Sequence, residues 1–152
     1  MCTSFMGELL TATHNFGTAP TRGTSTADTF KAALYLTTAT VNASTTAYSA
    51  TNEVSGTGYT AGGVTVTNAT APTATNSSAT AGVAYWTPSA SITYTTVTLT
   101  TAFDCVLIYN STQSNKAVSV HTFGSQTVTA GTFTLTMPAN TTSTALLRLA
   151  TT

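Results

Sequence analysis

The chain has 152 residues, enough for one domain with a hydrophobic core but short for two. Its four basic and four acidic residues make up only 5% of the sequence and cancel to no net charge, whereas about a quarter of a typical soluble domain is charged. The basic residues are scattered, which excludes a site for a nucleic-acid backbone. No apolar stretch approaches the roughly 20 residues needed to cross a bilayer.

The composition favours extended backbone. Thr is the commonest residue and makes up more than a quarter of the chain, and its β-branched side chain favours strands. The first ten residues contain Glu8 and lack the basic start and long apolar run of a secretory signal. We therefore expect synthesis in a cytoplasm, with free thiols at Cys2, on a loose terminus, and at Cys105, packed in a strand.

Residues 1–27 are predicted to form an N-terminal arm, because glycine and proline interrupt them before the first regular pattern. Within the arm, residues 4–10 favour a short helical turn with Ser4 as its N-cap. The apolar side of this turn comprises Phe5, Met6, Leu9 and Leu10. These side chains either dock onto the protein's own core or cover a neighbouring subunit as an interface, and the sequence leaves both open.

Residues 28–152 are predicted to form the main domain. It opens with a strand over 28–36, in which Phe30, Ala32 and Leu34 share one face. The Ala/Ser/Thr-rich residues 37–50 form either a loop or an irregular edge.

A Gly-rich segment at 52–63 follows, with four glycines in eight residues that permit positive φ and close backbone approach. Glu53 is the only charged residue between Lys31 and Asp104, and we expect its carboxylate to accept hydrogen bonds from loop N–H groups or to pair with a basic residue. The segment lacks the Lys and the following helix of a phosphate-binding loop. We predict a contact loop whose interface residues are Glu53, Gly56, Gly58 and Tyr59.

The second half of the chain favours strands throughout. After a strand at 64–66 and a long surface loop at 67–82, we expect strands over 92–100, 103–109, 116–123, 127–129, 132–137 and 145–150, with breaks at Gly124 and Pro138. About eight short strands predict an all-β fold, a β-sandwich or jelly roll in one domain. The predicted core comprises Phe103, Val106, Ile108, Phe133 and Leu135.

The sequence indicates neither an enzyme nor a metal or cofactor site. The available acid–base groups are His14, His121, Asp28, Asp104, Glu8 and Glu53. No nucleophile elbow accompanies the Ser residues, and the His and Cys residues stand singly rather than at metal-ligand spacing. His121 is expected to be a partly buried side chain with one hydrogen bond.

Two stretches carry a resemblance to a known family. Asp-Thr-Phe-Lys-Ala-Ala-Leu-Tyr at 28–35 and, after Ala47-Tyr48, Asn-Glu-Val-Ser-Gly-Thr-Gly-Tyr-Thr-Ala-Gly-Gly at 52–63 resemble small Thr/Ala-rich structural proteins of tailed bacteriophages and prophages. Looser similarity runs through 84–86, 107–110, 131–135 and 146–148. The resemblance implies a virion protein, and a small β-sandwich suits a capsid cement (decoration) protein on the capsid surface. Its partners would be the major capsid protein and further copies of itself, as a dimer or trimer.

The low charge favours the same class of function. A β-rich surface without charged groups adheres to its neighbours, which indicates a part built into a larger assembly. We expect residues 1–22 and the Gly-rich segment to bridge capsomers, so that deleting residues 1–16 abolishes capsid retention and leaves the β-domain folded. The alternatives are a tail or head–tail connection protein, or a surface module that binds carbohydrate or ice through Thr-x-Thr pairs and through Tyr85 and Trp86.

Overall fold

The computed structural model describes residues 1–10, 12–17, 26–75 and 82–150, without the side chains of residues 6, 7 and 10. The rest of the predicted arm, and residues 76–81 of the predicted loop, lie outside this description. The described elements are α1 (Thr3–Leu10), β1 (Phe30–Leu36), β2 (Val64–Thr65), β3 (Thr73–Ala74), β4 (Val83–Trp86), β5 (Ile92–Asn110), β6 (Lys116–Leu135) and β7 (Leu147–Ala150).

The strands form two antiparallel sheets, which confirms the predicted all-β, sandwich-like fold. The larger sheet has the order β2-β1-β5-β6, and the smaller has the order β3-β4-β7. Strands that are distant in sequence lie side by side in the larger sheet. β1 pairs with β5 from Phe30 opposite Asn110 to Leu36 opposite Phe103. The N-terminal strand is thus held by a strand from the second half of the chain.

The strand predicted at 28–36 is confirmed as β1. Its burial differs from that of a strand with one wet face, because Ala33 and Tyr35 are buried as completely as Phe30, Ala32 and Leu34. β1 lies between β2 and β5, and the Gly-rich segment pairs with the rest of the edge that β2 occupies. A strand in such a position is apolar on both faces.

The short strand predicted at 145–150 is confirmed as β7, but the prediction of several short strands between 92 and 137 was wrong. Residues 92–110 form the single strand β5, and residues 116–135 form the single strand β6, which continues through Gly124. The pairing of β5 with β6 shifts register at five places, and Thr96 and Ala130 have positive φ. Bulges of this kind bend a strand without ending it, and they explain why the alternation in the sequence is interrupted where the strand is not.

The core is centred on β1, β5 and the start of β6. Of the predicted core residues, Phe103, Val106 and Ile108 are buried, whereas Phe133 and Leu135 are half-buried against the core. Their position near the end of the long hairpin leaves one side of each open.

The N-terminus is part of this core, contrary to the expectation of a loose end. Cys2 is 0% exposed, and its N–H donates to the carbonyl of Val118 at 3.0 Å. The helix predicted at 4–10 is confirmed as α1, but Ser4 lies inside it. The Oγ of Ser4 is buried without a hydrogen-bond partner, so Ser4 is not the N-cap.

Candidate functional site

The Gly-rich segment lies directly on the larger sheet. Val54 N–H donates to the carbonyl of Leu34 at 2.9 Å, and Thr98 N–H donates to the carbonyl of Thr57 at 2.9 Å, so the segment is pinned to both β1 and β5. Gly63 has φ +71°, and a Cβ there would overlap the carbonyl oxygen of Ala32. Close approach to β1 therefore requires glycine at this position.

Glu53 organises the segment from the inside. Its Oε1 accepts hydrogen bonds from Gly62 N–H and from the Tyr59 hydroxyl, both at 2.7 Å, and its Oε2 accepts one from the Tyr48 hydroxyl at 2.6 Å. The bond from Gly62 confirms the prediction that Glu53 accepts from a loop N–H group. The other donors are tyrosines, and no described basic residue forms an ion pair with Glu53.

These hydrogen bonds fix the tyrosines as neutral donors. Burial, followed by the hydrogen bond to Glu53, raises the pKa of Tyr48 and Tyr59 well above the ordinary value of 10.0. Burial, and to a smaller extent Glu53, raises the pKa of Tyr109 to about 12, and its hydroxyl donates to the Gly62 carbonyl at 2.8 Å. The cluster thus holds the loop through neutral tyrosine hydroxyls.

The four predicted interface residues of this loop divide into two pairs. Gly56 and Gly58 are exposed, whereas Glu53 is 9% exposed and Tyr59 is half-buried with its hydroxyl committed to Glu53 and to the N–H of Leu34. The exposed surface of the loop is therefore backbone and small side chains. A partner at this loop would contact Gly56 and Gly58, with Glu53 and Tyr59 holding them in position.

The predicted interface on the arm faces inwards where it is described. Phe5 is 2% exposed within the core, and Leu9 packs partly buried against the core. The side chains of Met6 and Leu10 lie outside the described part of the structure. For Phe5, docking onto the protein's own core is the alternative that holds, so this side chain is not presented to a neighbour.

A chain of polar contacts ties the N-terminal segment to the β-domain. Lys116 Nζ donates to Glu8 Oε1 at 2.7 Å, and Glu8 Oε2 lies 2.8 Å from Nε2 of His14. The Nδ1 of His14 lies 3.1 Å from the amide nitrogen of Asn110, which also donates to Asp28 Oδ2 at 2.7 Å. We call these five residues the N-terminal clamp.

The buried end of the N-terminal clamp is fully hydrogen-bonded. Asp28 Oδ2 also accepts from the N–H of Asn15 at 2.9 Å, and its Oδ1 accepts from the amide of Gln113 at 3.2 Å. The side-chain Oδ1 of Asn110 accepts from the backbone N–H groups of Thr112 and Gln113 in the β5–β6 turn, each at 3.1 Å. Because each contact satisfies a buried group, loss of one partner leaves the others uncompensated.

The clamp contains a neutral imidazole. Burial lowers the pKa of His14 below 6.5 and outweighs the opposing effects of Glu8 and Asp28. In the neutral ring, Nε2–H donates to Glu8 and Nδ1 accepts from Asn110, which matches the donors and acceptors on both sides. Burial alone would raise the pKa of Glu8, but hydrogen bonds from Lys116 and His14 lower it below 4.5.

The remaining side chains that could act as acids, bases, nucleophiles or metal ligands are dispersed. His121 is half-buried and lies 3.0 Å from Ser119 Oγ, which confirms its predicted environment. Cys2 and Cys105 are free and buried. Among the described residues, no group of three His, Cys, Asp or Glu side chains is arranged to hold a metal ion.

Trp86 is not available to stack on a sugar ring. It is 3% exposed, its Nε1 donates to the carbonyl of Thr70 at 2.9 Å, and its ring packs against Phe16 at a centroid distance of 4.8 Å. The part of the carbohydrate hypothesis that relied on Trp86 was therefore wrong.

Sequence reasoning missed several residues on which both networks depend. The sequence predicted no hydrogen-bonding role for Tyr48 or Asn110, yet they provide donors to Glu53 and His14. Tyr48 lies five residues from Glu53, a separation that a search for local polar pairs would have found. Asn110 and His14 are distant in sequence, and no local pattern connects them.

Comparison with known proteins leaves the family undetermined. No protein-family model, curated protein or solved structure matches the chain. In the described part of the structure, no helix has the length and apolar character required to span a membrane.

Proposed function

We propose that the protein is a structural component of a bacteriophage virion, a capsid cement (decoration) protein that binds the major capsid protein on the outside of the shell. The sequence resemblance at 28–35 and 52–63 supports the phage origin. The proposal includes self-association on the shell as a dimer or trimer, and synthesis in the cytoplasm of the host bacterium.

The observation that carries the proposal is the placement of the few charges. Three of the four carboxylates, those of Glu8, Asp28 and Glu53, are directed into internal hydrogen-bond networks. The exposed positions of the strands are instead largely Thr, such as Thr93, Thr95, Thr132 and Thr134. Desolvating a surface of hydroxyl and methyl groups against a neighbour costs little free energy, since no ionised group has to be buried.

A rigid loop on this surface supports the same role. The Gly-rich segment exposes backbone at Gly56 and Gly58 and is held by Glu53 from below. A surface that is ordered before binding loses little conformational entropy on association. Such a loop suits repeated binding to identical sites on a lattice.

Particle composition tests this function. We expect quantitative mass spectrometry of gradient-purified particles to find the protein at a copy number comparable to that of the major capsid protein. Particles from a phage lacking the gene should release DNA at a lower temperature. A few copies per particle would favour the tail or head–tail alternative, and absence from washed particles in a lysate that contains the protein would refute the proposal.

A further inference from the structure

A second surface lies at the last strand, away from the Gly-rich segment. β7 is at the edge of the smaller sheet and pairs with β4 from Trp86 opposite Leu147 to Val83 opposite Ala150 without a register shift. No described residue pairs with the other side of β7. Its four residues include no proline, so the open edge retains the hydrogen-bonding groups that a further strand would use.

An apolar groove of about 150 Å³ lies beside this edge. Leu147 and Leu149 are two residues apart, so they share a face of β7, and both line the groove with Met1, Phe5, Phe16 and Trp86. Met1 and Leu149, 39% and 42% exposed, are the exposed large hydrophobic residues of the described chain. Both border this one groove, so the large apolar side chains that the described chain exposes are gathered beside the β7 edge.

Arg148 gives the edge a charge. It lies between the two leucines and opposite Tyr85, so it projects from the other face of β7. Arg148 is exposed, and the ion pairs among the described residues involve Lys116 and His14 with Glu8 but not Arg148. The edge therefore presents an apolar face and a basic face.

We propose that the β7 edge binds an extended segment of a different protein as an added strand, with an apolar side chain in the groove and a carboxylate opposite Arg148. The identification of that protein as the major capsid protein rests on the proposed function. The chemistry of the segment is inferred from the β7 edge itself and does not depend on that function. Main-chain hydrogen bonds would supply affinity, and the alternating apolar and acidic side chains would supply specificity.

A second copy of this chain fits the edge poorly. Two β7 strands can bring their leucine faces together when Leu147 lies opposite Leu149 of the second copy, but this register sets Arg148 directly opposite Arg148 of that copy. Like charges at a cross-strand distance of about 5 Å are destabilising. A shift by one residue turns the leucines to opposite faces, and a shift by two residues keeps the leucines on one face but leaves the arginines as diagonal neighbours about 7–8 Å apart on the other face.

The chain's own carboxylates do not provide the missing charge. Glu8, Asp28 and Glu53 are held in the internal networks described above. Asp104 lies in β5, which has a partner strand on each side and cannot add to another edge. The complementary carboxylate therefore belongs to another protein.

Capped peptides test the edge directly. The probe contains Leu-Glu-Leu flanked by Thr and Val, and the matched control contains Leu-Lys-Leu in the same frame. In a titration of the ¹⁵N-labelled full chain followed by NMR, we expect the Glu peptide to shift the β7 amides and to bind about fivefold more tightly than the Lys peptide. Arg148→Glu should reverse this order, and Leu149→Ser should weaken both peptides.

Three results would overturn the proposal. The first is equal binding of the two peptides, the second is no shift of the β7 amides with either, and the third is an order that Arg148→Glu leaves unchanged. A concentration-dependent dimer of the wild-type chain that Leu149→Ser abolishes would make a second copy the occupant instead. Circular dichroism should show that both variants fold, since both substitutions are at exposed residues.

Particle occupancy separates this proposal from the proposed function. If wild-type protein is found on particles and Arg148→Glu reaches the same occupancy, the edge is not the contact with the shell although the cement function stands. If the Glu peptide binds as expected and the protein is absent from particles, the edge stands and the cement function fails.

Discussion

The side-chain amide of Asn110 meets Nδ1 of His14 at 3.1 Å, a contact that only a neutral imidazole can accept. Protonation of Nδ1 would place its N–H against the N–H that Asn110 donates to it. The N-terminal clamp is therefore sensitive to acid at its centre, and the helix α1 that it holds carries part of the core.

We predict that acidification destabilises the fold. Because burial lowers the pKa of His14 in the folded state below 6.5, the unfolded chain takes up a proton first. The stability contributed by neutral His14 is complete above pH 6.5 and is lost as the pH falls through the lowered pKa. The lowered pKa of Glu8 acts in the same direction, with a loss that begins at pH 4.5.

Urea denaturation across this pH range measures the effect. His14→Gln keeps a polar side chain but does not titrate, so its unfolding midpoint should vary less between about pH 7 and 5 than that of the wild type. Identical pH profiles for the two proteins would show that His14 does not control the acid response.

Glu53→Gln should destabilise the protein by roughly 1–3 kcal/mol. The amide replaces one acceptor oxygen with a donor, which faces either Tyr48 or the donors Tyr59 and Gly62. The free energy of unfolding in urea gives the change. Asp104→Asn is the matched control at a half-buried carboxylate, and a loss as large as that of Glu53→Gln would show a general effect of charge removal.

Phe103→Ala should cost roughly 3–5 kcal/mol of unfolding free energy, because Phe103 is completely buried among Phe123 and Phe133. Leu135→Ala should cost less than half as much, since Leu135 is half-buried at the end of the hairpin. Denaturation of both variants under one set of conditions provides the comparison. Equal losses would mean that the end of the hairpin is as tightly packed as the core.

The burial of the N-terminal segment argues against one part of the expected result of deleting residues 1–16, that the β-domain stays folded. Deletion removes Cys2, Phe5 and His14, all of which are buried against the sheet. We predict that the truncated chain loses cooperative unfolding, and that Phe5→Ala alone costs roughly 3–5 kcal/mol. A well-dispersed NMR spectrum of the truncated chain would show instead that the β-domain folds without its N-terminal segment.

Both thiols should be unreactive in the native protein. Burial, with a smaller contribution from Asp104, raises the pKa of Cys105 to about 11, and burial raises the pKa of Cys2. Since the thiolate is the reactive form, an aromatic disulfide reagent near pH 8 should label both cysteines rapidly only in denaturant. Fast labelling of Cys2 in the native protein would indicate that α1 opens readily.

The features that depend on neighbouring residues in the sequence were predicted correctly. The alternation around Phe30 fixed the position of β1, and a lone carboxylate before glycines predicted that Glu53 accepts a loop N–H. The length of β5 and β6 could not be predicted, because bulges near Thr96 and Ala130 interrupt the alternation inside continuous strands. Local propensity describes residues singly, whereas pairing across a hairpin carries a strand through such interruptions.

The N-terminal clamp was beyond prediction for a different reason. Its contacts join His14 to Asn110 and Glu8 to Lys116, residues that only the finished sheet brings together. The apolar side of α1 was recognised from Phe5 and Leu9, but composition could not decide between a core and a partner as its cover. The fold decides for Phe5, since its side chain packs against His14 and Phe16.

The pairing of β1 with β5 also determines how late in translation the larger sheet can form. Phe30 leaves the ribosome long before Asn110, its partner in the sheet, so the side of β1 that pairs with β5 stays open until most of the polypeptide has been translated. Sheets closed by such distant segments form slowly. We therefore expect newly made chains to pass through a stage in which one side of β1 is open to aggregation.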